Sequence, residues 1–254
     1  MKKIIEKYYL SSFYIITFIF AIPLLMLHFI FQSVGKYSVS FTQLSPAFAV
    51  VFISIILKDR TDLRYIKSRL HFDLSIVKWV IPVIAIPGIC IAVSGFIMSY
   101  YKISYIPWQG NPLFYILNTT AILAGCAAEE IGWRGFLLPN FQKKYSPFIS
   151  SIIVGVLWGI WHLNFTGGTL GFILYTITII EMSILMTWVF NKTNGNLLLM
   201  IVWHFIFNLA SHILLWERFN ISLFIVESIV FGILCTVILV LTRYENNNKK
   251  CMKE

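Results

Sequence analysis

Charged side chains are scarce in this sequence. Asp, Glu, Lys and Arg make up 12% of its 254 residues, and only 11 are acidic. A soluble globular domain carries roughly a quarter charged residues, so the composition excludes that class. Cysteine is also sparse. Cys90, Cys126, Cys235 and Cys251 show no CxxC or zinc-finger spacing, which excludes a disulfide framework. Three of the four lie in apolar segments, where a thiol behaves as a small hydrophobe. No internal repeat of the kind transporters carry is visible. The basic start "MKK" and the apolar run that follows lack a small-x-small cleavage site, and the run is too long for a signal peptide. It is expected to remain as a first span. The final "CMKE" ends in residues poorly suited to a prenylation box.

What is abundant is apolar surface: 58% of residues are hydrophobic and 17% aromatic. A helix needs about 20 apolar residues to cross a ~30 Å hydrocarbon core. Eight segments meet that expectation: Ser11–Phe31, Ser40–Leu57, Val77–Ser99, Leu113–Leu138, Phe148–Leu163, Thr169–Phe190, Asn196–Leu215 and Ile221–Leu241. The expected fold is an all-α membrane protein, a bundle of about eight transmembrane helices in a single polytopic domain over 1–254. The net charge of +9 would suggest nucleic acid in a soluble protein, but here the loops explain it and no nucleic-acid partner is expected. Lys and Arg instead collect in alternate loops: sixteen of the twenty fall on the side of the N-terminus, against Lys36, Lys102 and Arg218 on the other, with Arg134 inside the fourth span. Cytoplasmic loops carry such an excess, so a multi-pass protein of the cell membrane is predicted, with both termini cytoplasmic. The basic loop "KDRTDLRYIKSRLHFDLSIVK" reads as an orienting segment beside anionic lipid.

Ionisable groups within spans are costly and point to function. They are His28, Glu129, Glu130, Arg134, His162, Glu181, His204, His212 and Glu227, joined by the amides Asn118 and Asn208. At ~1.5 Å per residue, Glu129 lies roughly 14 Å from the inner end of its span, His162 about 17–21 Å, His204 about 12 Å and Asn208 about 18 Å. Four polar groups from three helices thus reach similar depth. Glu130 and Arg134 are i,i+4 and pair along the helix, while Glu129 projects about 100° away. Gly155, Trp158, Gly159 and His162 share one face, and the glycines there allow close helix approach. His204, Asn208, Ser211 and His212 share another.

Two chemistries use these groups. A carboxylate in a poorly solvated site is a general base, a histidine beside it shares activation of water, and a second histidine with an amide donates to an oxyanion. Alternatively Glu129, His162 and His204 form a ligand set for a divalent metal such as zinc, with one position open for water. Glu181 and Glu227 read as packing residues, His28 as interfacial, and His212 as a lesser candidate.

"EEIGWR" resembles the EExxxR motif of the CPBP (Abi) intramembrane peptidases, the family of CAAX prenyl endopeptidases and bacteriocin-processing proteins. "WGIWH" resembles their FxxxH motif, with Trp158 where Phe is usual, and "HFIFN" resembles their HxxxN motif in full. The motif core falls within 126–212. The resemblance implies an endopeptidase with a polar intramembrane cavity, cutting a membrane-associated peptide or protein. Glu129 and His162 would activate water, and His204 and Asn208 would stabilise the oxyanion, or His204 would join a metal. Glu130, Arg134 and Trp158 would support them. Peptide maturation or bacteriocin self-immunity are the roles it implies. Two other classes compete: a proton-coupled transporter using Glu129 and the histidines as a relay, and a non-catalytic scaffold that sequesters a peptide.

Overall fold

The computed structural model describes residues 1–30, 41–101, 112–215 and 221–242. Among these the chain is all helical: α1 (Lys2–Lys7), α2 (Tyr9–Ile30), a 3-10 turn (Phe41–Leu44), α3 (Ser45–Leu57), α4 (Thr61–Arg69), α5 (Val77–Tyr100), α6 (Pro112–Gly132), α7 (Leu138–Gln142), α8 (Pro147–His162), α9 (Gly168–Lys192), α10 (Leu197–Leu215) and α11 (Ile221–Thr242). Each expected span is helical along its described length, to within a residue or so at either end. Five helices are long and apolar enough to cross a bilayer, Tyr9–Leu27, Leu74–Tyr100, Gly168–Lys192, Leu197–Leu215 and Ile221–Leu241, and Phe41–Leu57 and Pro147–His162 are shorter apolar helices. The chain is therefore a multi-pass membrane protein. Large apolar side chains such as Ile19, Ile81, Phe96 and Val240 are exposed on these helices, as they must be where lipid rather than water is the neighbour. Lys36, Lys102, Arg218, Arg243, Lys249, Lys250, Lys253 and Cys251 lie outside the described residues, as does the side chain of His28.

The chain divides into two compact units. The first gathers described residues of Met1–Phe72, Gln109–Asn140 and Asn196–Phe205, the second those of Asp73–Trp108, Phe141–Gly195 and Ile206–Glu254.

In the first unit, α6 does not run straight to its expected end. A π-helical turn, Trp133–Leu137, intervenes, and the Leu138 N–H bonds five residues back to the Trp133 carbonyl. Pro139 accounts for it. Proline has no N–H to offer Gly135 and its ring crowds that carbonyl, so the preceding turn widens. The turn is buried throughout. Phe13 lies edge-on to Trp133 at 5.9 Å and 4.7 Å from Phe136. Gly135 leaves room for α4, since a Cβ there would sit 3.0 Å from Ile66 and 3.3 Å from Leu197.

The basic loop after α3 is thus packed rather than loose. Asp59 opens α4, accepting from the Thr61 N–H at 2.8 Å and hydroxyl at 2.6 Å, bonds that hold its carboxyl below the usual range. Tyr9 donates to Asp62. Beyond α4, the His71 carbonyl accepts from Asn196 Nδ2 at 2.9 Å, and Asn196 Oδ1 caps α10 by accepting from the Leu199 N–H at 3.0 Å. The turn into that cap uses positive φ at Asn194 (53°) and Gly195 (76°), conformations those two residue types favour.

In the second unit, α8 and α9 pack at the close approach expected of Gly155 and Gly159. A Cβ on Gly155 would lie 2.7 Å from the Ile180 Cα, and one on Gly159 would lie 3.1 Å from the Thr176 Cα. Ser183 Oγ donates across this seam to the Ser151 carbonyl at 2.9 Å. Cys235 on α11 donates to the Glu181 carbonyl of α9 at 3.2 Å.

Candidate active site

Glu129, Glu130 and Arg134 are fully buried and His204 is 3% exposed. All four belong to the first unit. Arg134 Nη1 donates to Glu130 Oε1 at 2.8 Å, the i,i+4 pair expected from spacing. The same oxygen lies 2.9 Å from His204 Nδ1. Helical spacing reveals only the first of these bonds; the second ties the first motif to the third and is how Glu130 gives the support expected of it. A carboxylate only accepts, so His204 carries its proton on Nδ1. Cys126, one turn before Glu130, is also in hydrogen-bonding contact with His204.

Glu129 occupies another face of α6, as its 100° offset requires. Its Oε1 accepts from Gln43 Nε2 at 2.9 Å. Gln43 comes from the 3-10 turn ahead of α3, and reading intramembrane ionisables alone missed it. The signal lay in the glycines. Gly125 and Gly132 bracket Glu129 at four and three residues. A Cβ on Gly125 would meet Gln43 Cδ at 2.9 Å, and one on Gly132 would meet Phe13 at 3.2 Å and crowd Pro46. Glycine on the carboxylate's own face marks the neighbour's close approach.

His162, Trp158 and Asn208 belong to the second unit. His162 is the last residue of α8, which ends in a left-handed Leu163 (φ 48°). Its Nδ1 lies 2.8 Å from the Trp158 carbonyl. A carbonyl cannot donate, so this histidine too is protonated at Nδ1, and its neutral form carries the lone pair on Nε2. Trp158 therefore serves His162 through its backbone as well as its ring. Trp158, Trp161 and Tyr175 ring the imidazole at 5.8, 5.0 and 5.3 Å between centroids. Asn208 is half-buried on α10, one turn beyond His204. His212 is half-buried and Glu227 buried. The amide of Asn118 donates to the Phe114 carbonyl of its own helix at 2.9 Å.

Among the described residues no three His, Cys, Asp or Glu side chains gather as a set that would hold a metal ion. Each histidine taken by itself nonetheless holds the tautomer of a ligand. Histidine ligands commonly donate Nδ1–H to a carboxylate or carbonyl and ligate through Nε2, and both His162 and His204 make the first of those contacts.

Residues 108–210 match the family model described as type II CAAX prenyl endopeptidase Rce1-like. Over 105 residues the chain is 30% identical to CAAX prenyl protease 2 of Methanococcus maripaludis, a match covering 37% of this chain and 39% of that protein. Over 141 residues it is 28% identical to lysostaphin resistance protein A of Staphylococcus haemolyticus, covering 54% of this chain and 38% of that protein. The chain thus spans under two fifths of the length of each of these relatives. The segment 108–210, which holds all three motifs, is thus similar to the CAAX protease family that they resemble.

Proposed function

We propose, from the match of residues 108–210 to that family, that this chain is an intramembrane endopeptidase hydrolysing a peptide bond in a membrane-associated substrate. The observation that carries the reading is the buried bond between Glu130 and His204, which joins "EEIGWR" to "HFIFN" inside the matched segment. A purely structural Glu–Arg pair would have no need of the histidine.

In this mechanism, whose combination of residues rests on the family motifs, Glu129 takes a proton from water and His162 assists through Nε2, its Nδ1–H being committed to Trp158. The water oxygen bonds to the scissile carbonyl carbon. The carbonyl oxygen becomes an oxyanion that His204 and the Asn208 amide receive. To donate at Nε2 while Nδ1 donates to Glu130, His204 must carry a proton on both ring nitrogens. The C–N bond then breaks, with Glu129 returning its proton to the leaving nitrogen. Fixed donors aimed at developing charge are worth about 10²–10³ in rate.

A second reading rests on the Nδ1 contacts of the two histidines. Glu129, His162 and His204 would then hold a divalent ion, which would supply Lewis-acid polarisation when bound. The termini are proposed to face the cytoplasm, from the distribution of Lys and Arg.

The test uses the full chain in proteoliposomes with two fluorescence-quenched reporters, a farnesylated C-terminal peptide and an unlipidated membrane-anchored peptide. Wild type should cut one of them, and Glu129→Gln and His162→Ala, folded at equal level, should not. A wild type that cuts neither, or variants that cut as fast, would sink the reading.

A further inference from the structure

The matched segment begins at residue 108, so Gln43 lies outside everything the family comparison covers. We infer that Gln43 is a positioning residue for the base: its amide grips Glu129 and sets the orientation of the attacking carboxylate. The inference rests on the reading of Glu129 as that base.

Three observations carry it. Gln43 Nε2 donates to Glu129 Oε1 at 2.9 Å, between residues 86 apart in sequence. The amide must be turned this way, since its oxygen would repel the carboxylate. Gly125 then makes room for the amide. The oxygen end of Gln43 lies where a Cβ on that residue would go, and Cδ and Cβ would be 2.9 and 3.3 Å away. Any side chain at 125 drives Gln43 out. Finally, Gln43 Oε1 is buried and has no hydrogen-bond partner among the described residues. Leaving a buried acceptor unsatisfied is costly. An amide kept here for packing alone would be replaced at no loss by an apolar side chain of similar shape. The arrangement is intelligible if the donor end is what is needed.

The mounting is rigid. Gln43 sits in the 3-10 turn Phe41–Leu44, and α3 follows at once with Pro46 in its first turn, a position proline favours. Pro46 packs on Gly132 of α6, one turn beyond Glu129. The turn is thereby fixed to the helix that bears the carboxylate. A hydrogen bond at one carboxylate oxygen favours one rotation about its last bond, and general-base catalysis depends on that geometry before all else.

The experiment compares wild type, Gln43→Ala, Gly125→Ala, the double variant Gln43→Ala/Gly125→Ala, and Glu129→Gln, all full-length in proteoliposomes. Cleavage of whichever reporter wild type cuts is resolved into kcat and KM. In parallel, the infrared carboxylate stretch of Glu129 is isolated in each background by subtracting the corresponding Glu129→Gln spectrum. Gln43→Ala and Gly125→Ala should each lower kcat by roughly 100-fold, the scale of a 1 Å misplacement, with KM within about twofold, and each should move the Glu129 band. The double variant should be no slower than either single one, because the added methyl then has no amide to displace. Unchanged kcat and band in Gln43→Ala, beside an inactive Glu129→Gln, would overturn the inference alone. A Glu129→Gln variant as active as wild type would overturn the proposed function and this inference with it.

Discussion

Glu130 Oε1 accepts from two side chains at once: Arg134 Nη1 at 2.8 Å and His204 Nδ1 at 2.9 Å, all three side chains buried. The arginine is on the carboxylate's own helix, the histidine 74 residues away. The two bonds have separable consequences. Arg134→Met leaves a buried carboxylate short of its counter-charge and should cost about 3–5 kcal/mol of stability. Adding Glu130→Gln removes the stranded charge and should restore most of that stability. It should not restore cleavage, because the carboxylate that holds His204 Nδ1 has been replaced. Thermal unfolding in detergent and reporter cleavage, measured on the same samples, distinguish the two effects.

Pro139 can be tested independently of any charge. Pro139→Ala returns an N–H to the helix and lets Trp133–Leu137 relax towards α geometry, which rotates Arg134 relative to the residues after the turn. Thermal stability should hold or rise, since an interior proline costs ~3 kcal/mol. Cleavage should fall at least tenfold. A variant that is both stable and fully active would show the widened turn to be incidental.

The α8–α9 seam leaves no room for a methyl group. Gly155→Ala would place its Cβ 2.7 Å from the Ile180 Cα, a backbone atom that cannot swing aside. A loss of about 1–3 kcal/mol is expected, visible as a lower unfolding temperature. Gly168→Ala is the contrasting case. Nothing lies within 4 Å of its Cβ, and only the φ of 72° resists it, so a smaller loss of about 1–2 kcal/mol should follow.

The two readings of the histidines diverge on metal. If water is activated by Glu129 and His162 alone, protein purified with chelator should cleave as fast as protein supplied with zinc. If an ion is held, elemental analysis should find about one per chain, lost together with activity and absent from His162→Ala. His204→Ala separates them further: it removes a ligand in one case and an oxyanion donor in the other, so only in the first should it abolish metal content.

What the sequence made legible was local. Span positions follow from apolar runs, the Glu130–Arg134 pair from i,i+4 spacing, and the α8–α9 approach from Gly155 and Gly159. Each is decided within a single helix. The π turn was also written locally, in Pro139, but it reads as an ordinary mid-span proline until the neighbouring hydrogen bonds are followed. Gln43 and the second bond of Glu130 could not be read this way. Both join residues far apart in sequence, and an uncharged amide does not stand out among polar residues at the edge of a span. The face assigned to Glu129 was right in angle, but the angle alone could not identify the amide it meets.

Asn196 holds one last consequence. It grips the His71 carbonyl with its amide nitrogen and the first turn of α10 with its oxygen, and His204 stands eight residues further along, about 12 Å at helical rise. The helix is a stiff rod between them. The height of His204 along α10 is therefore measured from a fixed anchor, the loop that follows α4, much as a plumb bob is set by the hand that holds its line.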